Sequence, residues 1–311
     1  MALRRSLKPH DGAEMISAEQ FEEYRPLLFS IAYRMLGSAS DAEDVVQDAW
    51  VRSSDAQPRE LRSAKAWLTT VVTRLCLDRL KSARAAREQY VGPWLPEPVL
   101  TSLDGRPDAM LQRDESVTLA FLVLLETLTP EERAVFLLKE IFDYTHDEIA
   151  GMLEMSAANA RQILHRARAR IAERRPRFSG DAESKRALAR RFLSALAASD
   201  PQALTSLLAE DVGFWGDGGG KVVASRRPVS GRDAVINLLL GIQRVVAAQG
   251  LSSRMSSRVI DVNFDPALEL RAAGRLEAIY ALEIEDGRIR GIRVVRNPDK
   301  LAFIERQLAN A

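Results

Sequence analysis

Residues 145–171 read THDEIAGMLEM followed directly by SAANARQILHRARARI. These are two short helical patterns joined by one tight turn. Neither half is long enough to bury a face alone, so the pair must fold as a helix-turn-helix packed on further helices. In the second half, Ala160, Leu164, Ala167 and Ile171 share one face at 3.6 residues per turn, with Ile163 at its edge. Gln162, His165 and Arg166 lie opposite, with Arg161 at the side. An outward amide and guanidinium are the groups that read base edges in a major groove, and Arg168, Arg170 and Arg174 flank them as phosphate ligands. An ordinary amphipathic helix with a basic surface is the competing reading.

The net charge of +1 hides a strong asymmetry. Arg161, Arg166, Arg168, Arg170, Arg174, Arg175 and Arg177 fall in one stretch opposed only by Glu173. A second basic run holds Arg74, Arg79, Lys81, Arg84 and Arg87. Charge clustered this way points to nucleic acid, although basic helices are also common as solvated faces.

Upstream, Phe21, Tyr24, Leu27, Leu28, Ile31 and Met35 keep helical spacing up to Gly37, and Ser40 is placed to cap a helix from Asp41. That helix has an apolar stripe (Ala42, Val45, Val46, Ala49, Trp50) and an acidic-polar one (Glu43, Asp44, Gln47, Asp48). A loop around Gln57–Pro58 leads to a third helix over 64–86, where an exposed aromatic would stack on bases and basic residues would follow a backbone. Prolines 93, 96, 98 and 107 with Gly105 make 88–112 a linker. Its WLPEP segment, Trp94–Pro98, is either a sticky stretch of solvated tether or a docking element. Helices resume near Asp108, and Thr129, Pro130 and Glu132 form a capping-box start.

The texture changes near Gly180. Helical runs over 183–197 and 201–209 precede a mixed region, then strand patterns over 255–264, 276–285 and 288–296, with Asp286–Gly287 as a hairpin turn. Helices first and strands later predict an α+β domain. The single cysteine, Cys76, excludes an internal disulfide and a cysteine metal cage, and its apolar neighbours mark it as a buried thiol. The N-terminus lacks the apolar run of a secretory signal and no stretch is long enough to span a bilayer, so a cytoplasmic location without a membrane partner is expected.

In the tail, DGGGK (Asp217, Gly218, Gly219, Gly220, Lys221) resembles a phosphate cradle. A P-loop needs four residues between a first glycine and the Gly-Lys pair, and Ser or Thr after the lysine. Trp215 and Val222 stand at those places. The dinucleotide fingerprint started at Gly216 would end on Lys221. DGGGK and NPDKL (Asn297, Pro298, Asp299, Lys300, Leu301) are read as surface turns, or, for DGGGK, as a backbone that lets another segment approach closely, with Asp217 and Lys221 as fasteners to WLPEP.

From Phe21 to Arg175 the chain resembles bacterial extracytoplasmic-function (ECF) sigma factors of the sigma-70 family. FEEYRPLLFSIAYRMLGSASDAEDVVQDAWVR is similar to region 2, AWLTTVVTRLCLDRLKSARAARE to its segment for the minus-ten element, and the run from LTPEER to RARARI to region 4. SAANARQ departs from the Ser/Thr-Val-Lys-Ser run common at that turn. WLPEP, DGGGK and NPDKL together resemble the SigJ-type subgroup, whose members carry a C-terminal domain similar to SnoaL cyclases and nuclear-transport-factor-2-like folds. The resemblance implies a multidomain chain: two all-α sigma domains, the second with the helix-turn-helix, and an α+β cone. Their expected bounds are 17–87, a linker 88–112, 113–177 and 182–311.

It also implies roles. Asp41, Glu43, Asp44, Gln47 and Asp48 meet core RNA polymerase. Arg62, Lys65, Trp67, Arg74 and Arg79 lie near the minus-ten element of promoter DNA. Arg161, Gln162, His165, Arg166 and Arg168 address the minus-thirty-five element. Trp94, Pro96 and Glu97 with the DGGGK and NPDKL residues form an interdomain regulatory contact. No cofactor or metal is expected, and no catalysis, since polymerase makes the bonds. Three readings of the tail stay open: a docking module, a pocket for a small-molecule ligand, and a catalytic domain using Asp211, Asp217 or Asp233. A helix-turn-helix regulator with a ligand-binding domain is the alternative for the whole chain.

Overall fold

The computed structural model describes residues 16–55, 63–101, 117–172 and 181–310. The chain opens with three helices, α1 (Ala18–Leu36), α2 (Ala39–Asp55) and α3 (Ala64–Glu88). Ser17 and Gln20 close a capping box on α1, and Gly37 ends it at φ 67°, a left-handed position suited to glycine. The cap of α2 is Ser38 rather than the expected Ser40: the Asp41 amide donates to Ser38 Oγ at 3.1 Å. Ser40 is already inside the helix, and its amide is taken by Glu97 instead.

A second helical unit holds α4 (Leu119–Leu125), α5 (Pro130–Glu140), α6 (His146–Leu153) and α7 (Ala157–Ala172). Thr129 and Glu132 cap α5 reciprocally, as do Thr145 and Glu148 on α6. The predicted face of α7 is the buried one: Ala160, Ile163, Leu164, Ala167 and Ile171. The loop at Gln57–Pro58 and the expected restart near Asp108 lie outside the described residues.

The C-terminal domain contains α8 (Ala182–Ala197), α9 (Pro201–Leu207), β1 (Leu208–Asp217), β2 (Val229–Ser230), α10 (Arg232–Ala248), β3 (Met255–Val262), β4 (Asp265–Ala272), β5 (Arg275–Glu285), β6 (Arg288–Val295) and α11 (Pro298–Ala309). Its sheet runs β2-β1-β6-β5-β4-β3, with only β1 and β6 parallel. Three two-residue turns with both residues at positive φ join β3 to β6: Asn263–Phe264, Ala273–Gly274 and Asp286–Gly287. Their twist matches that of the strands. This is the α+β architecture that the sequence pattern predicts.

Four expectations change here. Helix α9 stops at Leu207, because Leu208 turns extended and starts β1. The strand expected over 255–264 ends at Val262, and β4 follows its turn. Part of the mixed region is α10. NPDKL is no surface turn: Asn297 caps α11 by accepting from the Asp299 amide, with Pro298 at the first helical position.

One sheet face closes over α8, α9 and α10 around Phe192, Leu204, Val235, Leu239, Leu282 and Ile292. The opposite face is largely covered as well, leaving Ser256 and Arg258 of β3 exposed. Val262, Ala267, Ile279, Ala281 and Val295, with Leu301, Phe303 and Ile304 of α11, belong to the same apolar core as α1 to α7. Phe29 of α1 stacks on Phe303 with centroids 6.3 Å apart. Phe303→Ala would leave a void at this shared seam. It is expected to cost about 3–5 kcal/mol, read as a lowered unfolding midpoint in urea.

Candidate nucleic-acid interface and the latch beside it

On α7, Arg161, Gln162, His165 and Arg166 are exposed. Arg166 Nε lies 3.7 Å from Glu132, Arg170 pairs with Glu132 at 2.7 Å, and Arg168 pairs with Glu140 at 2.7 Å. Arg161, Gln162 and His165 have no side-chain partner among the described residues, so a groove-sized surface of donors faces outward.

On α2, the apolar stripe is buried apart from the half-buried Trp50, while Asp41, Asp44, Gln47 and Asp48 are exposed. Arg79 of α3 lies across this acidic row, 3.5 Å from Asp41, 3.6 Å from Asp44 and 3.1 Å from Asp48. Glu43 sits 3.7 Å from Arg306 of α11.

The basic side of α3 is largely occupied. Lys65 is exposed, but Trp67 is half-buried against the core rather than free for stacking. Arg74 donates from Nε to the Met152 carbonyl at 3.0 Å and pairs with Glu154 at 2.9 Å, at the C-terminal end of α6. A cation there suits the negative pole of that helix. Thr69 and Tyr144 share a hydrogen bond of 2.9 Å across the same boundary. Buried Arg133 of α5 donates to the Met35 carbonyl of α1 and to Glu126, each at 2.7 Å. The helix-turn-helix is thus packed directly on the helix expected to read the other promoter element. Arg62 lies outside the described residues.

The linker is not a loose tether. From Tyr90 to Thr101 it runs over the seam between the helical units and the sheet. Asp217, at the end of β1, is fully buried and takes four donors: Tyr90 Oη (2.5 Å), Gly219 N (3.1 Å), Leu95 N (2.8 Å) and Lys300 Nζ (2.7 Å). That fills the lone-pair capacity of a carboxylate. Lys300 also donates to the Leu95 carbonyl at 2.5 Å and lies 4.2 Å from the Trp94 ring centroid and 4.7 Å from that of Tyr90. Burial, and then the bond to Asp217, push the Tyr90 hydroxyl pKa above its ordinary value. Asn297 Nδ2 donates to the same hydroxyl at 2.9 Å.

The glycines act as spacers. A Cβ on Gly219 would strike the Asn297 side chain, and one on Gly220 would come within 3.3 Å of Val91. Gly218 packs on the Val222 carbonyl. Lys221 departs from the sequence reading. It pairs with Asp299 at 2.5 Å on the surface instead of fastening the linker.

A second node lies at Glu97. Its carboxylate accepts from Ser38 Oγ and Ser40 N, both at 2.9 Å, and so holds the start of α2. Tyr33 of α1 donates to the Glu97 carbonyl at 2.6 Å. Asn263 Nδ2 donates to Tyr33 Oη at 2.7 Å and to the Val117 carbonyl at 2.8 Å. Trp94 lies over Gly37, where a Cβ would come within 2.6 Å of its ring, and Pro96 is buried. Asn263 therefore ties together both helical units and the tail. No sequence pattern singled out Tyr33, Tyr90, Asn263 or Arg133. Asn263 is legible only as a turn residue.

The carboxylates nominated for catalysis in the tail do not share a site. Asp211 and Asp233 are exposed, Asp211 pairs with Arg290 at 2.6 Å, and Asp217 is consumed by the latch. Among the described residues no group of three or more His, Cys, Asp or Glu side chains could hold a metal, and no helix is long and apolar enough to cross a membrane.

Comparison with known proteins gives the family. The family model for sigma-70 region 2 matches residues 20–86, and that for sigma-70 region 4 matches residues 118–171. The chain is 36% identical over 294 residues to the Mycobacterium tuberculosis ECF RNA polymerase sigma factor SigJ, covering 92% of this chain and 93% of the relative. It is 32% identical over 291 residues to the probable ECF RNA polymerase sigma factor SigI of the same species, covering 92% and 94%. The crystal structure of M. tuberculosis SigJ superimposes with a TM-score of 0.73 at 35% identity, over 92% of this chain and 99% of that one.

Two outcomes test the latch. Asp217→Ala removes the carboxylate paired with buried Lys300, a change worth about 3–5 kcal/mol for a broken buried pair, and deprives the Leu95 amide of its acceptor. Hydrogen exchange is expected to show lost protection at Leu95 first. At the second node, burial raises the Glu97 carboxyl pKa. The docked linker then holds a proton more tightly than the released one. Docking is expected to be tightest below the ordinary carboxylate range and to weaken as pH rises through the raised value. Glu97→Gln should flatten that dependence in linker proteolysis measured across pH.

Proposed function

The chain belongs to the extracytoplasmic-function RNA polymerase sigma factors, and we propose that its C-terminal domain holds the free protein in a closed state that cannot engage a whole promoter. As a sigma factor it binds core RNA polymerase and directs promoter recognition and initiation. In the proposed division, residues 17–87 form the region 2 domain, 88–112 the linker, 113–177 the region 4 domain and 182–311 the regulatory domain. Asp41, Glu43, Asp44, Gln47 and Asp48 face polymerase. Arg62, Lys65, Trp67, Arg74 and Arg79 serve the minus-ten element, and Arg161, Gln162, His165, Arg166 and Arg168 the minus-thirty-five element. The same partners put its work in the cytoplasm.

The observation that carries the closed state is Arg74 on the end of α6. Elements some 20 base pairs apart are separated by about 70 Å on B-form DNA at 3.4 Å per pair. Here α6 touches α3, and α7 packs against α6. Region 2 and region 4 cannot occupy both elements until that contact opens. WLPEP, DGGGK and NPDKL stabilise the closed arrangement by fixing the linker. Core polymerase opens it only by binding the open form more tightly. The packed interior around Phe192, Leu239 and Leu282 favours a docking module over a ligand chamber, and the tail supplies no chemistry of its own.

Run-off transcription with core polymerase tests this reading. Gly219→Val, which collides with Asn297, and a chain cut before Asn297 are both expected to raise output severalfold over the full-length protein from the same start sites. Equal output from all three would remove the regulatory tail from the account. Failure of the wild type to co-elute with core polymerase, with duplex DNA still bound, would point to a helix-turn-helix regulator instead.

A further inference from the structure

Five large apolar side chains are exposed among the described residues: Val51, Val91, Val222, Val223 and Val245. Three of the five fall at one crossing, where the linker passes over the loop between β1 and β2. A Cβ on Gly220 would come within 3.3 Å of Val91, and Val222 and Val223 follow Gly220 by two and three residues. A Cβ on Gly92 would lie 3.8 Å from Arg226 Cα. Val223 is 87% exposed. A single exposed valine is ordinary, but three in one place mark an interaction surface.

The loop that carries them is held in shape. Lys221 N and Val222 N both donate to the Gly218 carbonyl, at 3.0 and 3.2 Å. Arg296 donates to the Val223 carbonyl at 2.6 Å, and Ser225 Oγ to the Arg227 carbonyl at 2.6 Å. The valines are thus presented on a fixed backbone, which spares a partner the cost of ordering it. Two of the nearby cations are already neutralised, Lys221 by Asp299 at 2.5 Å and Arg296 by Glu277 at 3.9 Å. Arg226 and Arg227 are exposed and have no side-chain partner among the described residues. Arginine beside apolar side chains is the composition of a protein-binding surface. Valines offer nothing to a phosphate backbone. The complement is a peptide with apolar residues for the valines and Asp or Glu for the two guanidinium groups.

We propose that Val91, Val222 and Val223, with Arg226 and Arg227, form a docking surface for an acidic amphipathic segment of a partner protein. The surface is composite: Val91 belongs to the linker and the other four residues to the tail. It exists only while the linker is docked, so a partner bound across both halves stabilises that state alone. The inference rests on the closed-state reading. It adds a protein partner that keeps the latch shut from outside, without touching the residues assigned to polymerase or promoter.

The test uses the full-length protein and a library of random short peptides displayed on phage. The library is first depleted on the Arg226→Glu, Arg227→Glu variant, which removes peptides that bind other basic surfaces such as α7, and is then selected on the wild type. Recovered peptides are expected to combine Asp or Glu with Leu, Ile or Phe. Val223→Ser is expected to weaken their binding about tenfold, and Gly219→Val, which loosens the latch, to weaken it severalfold. Neither Val223→Ser nor the arginine variant should change run-off output in the absence of peptide. With a synthetic copy of a recovered peptide, wild-type output should fall and hydrogen exchange at Leu95 should slow. A depleted library that returns no binder, or binders indifferent to Val223→Ser, would overturn the proposal. So would displacement of the peptide by random-sequence duplex DNA, which would make this a phosphate site, and so would a bound peptide that leaves output and Leu95 exchange unchanged. Equal output from wild type and Gly219→Val without peptide would instead remove the closed-state reading itself, a result distinct from the others.

Discussion

Asp217 has no exposed surface, yet four donors from three parts of the chain converge on it: the linker, its own glycine turn and α11. A buried carboxylate is costly unless paired and fully hydrogen-bonded. Removing any contributor therefore exposes the cost of burying the rest. This makes the contact conditional on all three segments being present at once. A purely apolar seam would stick in many registers, whereas a carboxylate with four filled positions has one. The apolar seam around Phe29 and Phe303 supplies attraction, and the Asp217–Lys300 pair fixes where the tail sits.

The consequences reach the opposite side of the molecule through short rigid links. Leu95, held by Asp217 and Lys300, is two residues from Glu97, which holds the start of α2. Tyr33 and Asn263 join that point to α1 and to Val117, two residues ahead of α4. The acidic helix α2, the linker and the tail therefore share one hydrogen-bonded chain. Arg79 and Arg74 take the remaining slack, the first across the acids of α2 and the second on the end of α6. Arg74, Arg79 and the acids of α2 are paired internally while the protein is alone, whereas Arg161, Gln162 and His165 stay exposed. Binding must offer the paired ones a replacement.

The helical half was legible because its signals are local. Thr129-Pro130 with Glu132 sets a helix start, Gly37 a helix end, and the apolar positions of α7 fall on one face. The tail was harder for a physical reason. Much of its sheet is covered on both faces, so β1, β4 and β5 lack clean alternation. NPDKL carried the same cap-then-proline signal as Thr129-Pro130, but the glycines of its partner motif drew the reading toward surface turns. Arg74, Arg79 and Trp67 read as a nucleic-acid face, which the composition supports. What sequence could not convey is that α6 covers part of that face, since this contact joins residues 78 positions apart.

The central claim is that the two DNA-reading domains are held together in the free protein and separate on polymerase. The most direct measurement is the distance between a spin label on α3 and one on the exposed face of α7, taken by double electron–electron resonance. A short, narrow distribution in the free full-length chain, replaced by a distance tens of ångströms longer with core polymerase, is the expected result. A long or unchanged distance in both states would contradict it.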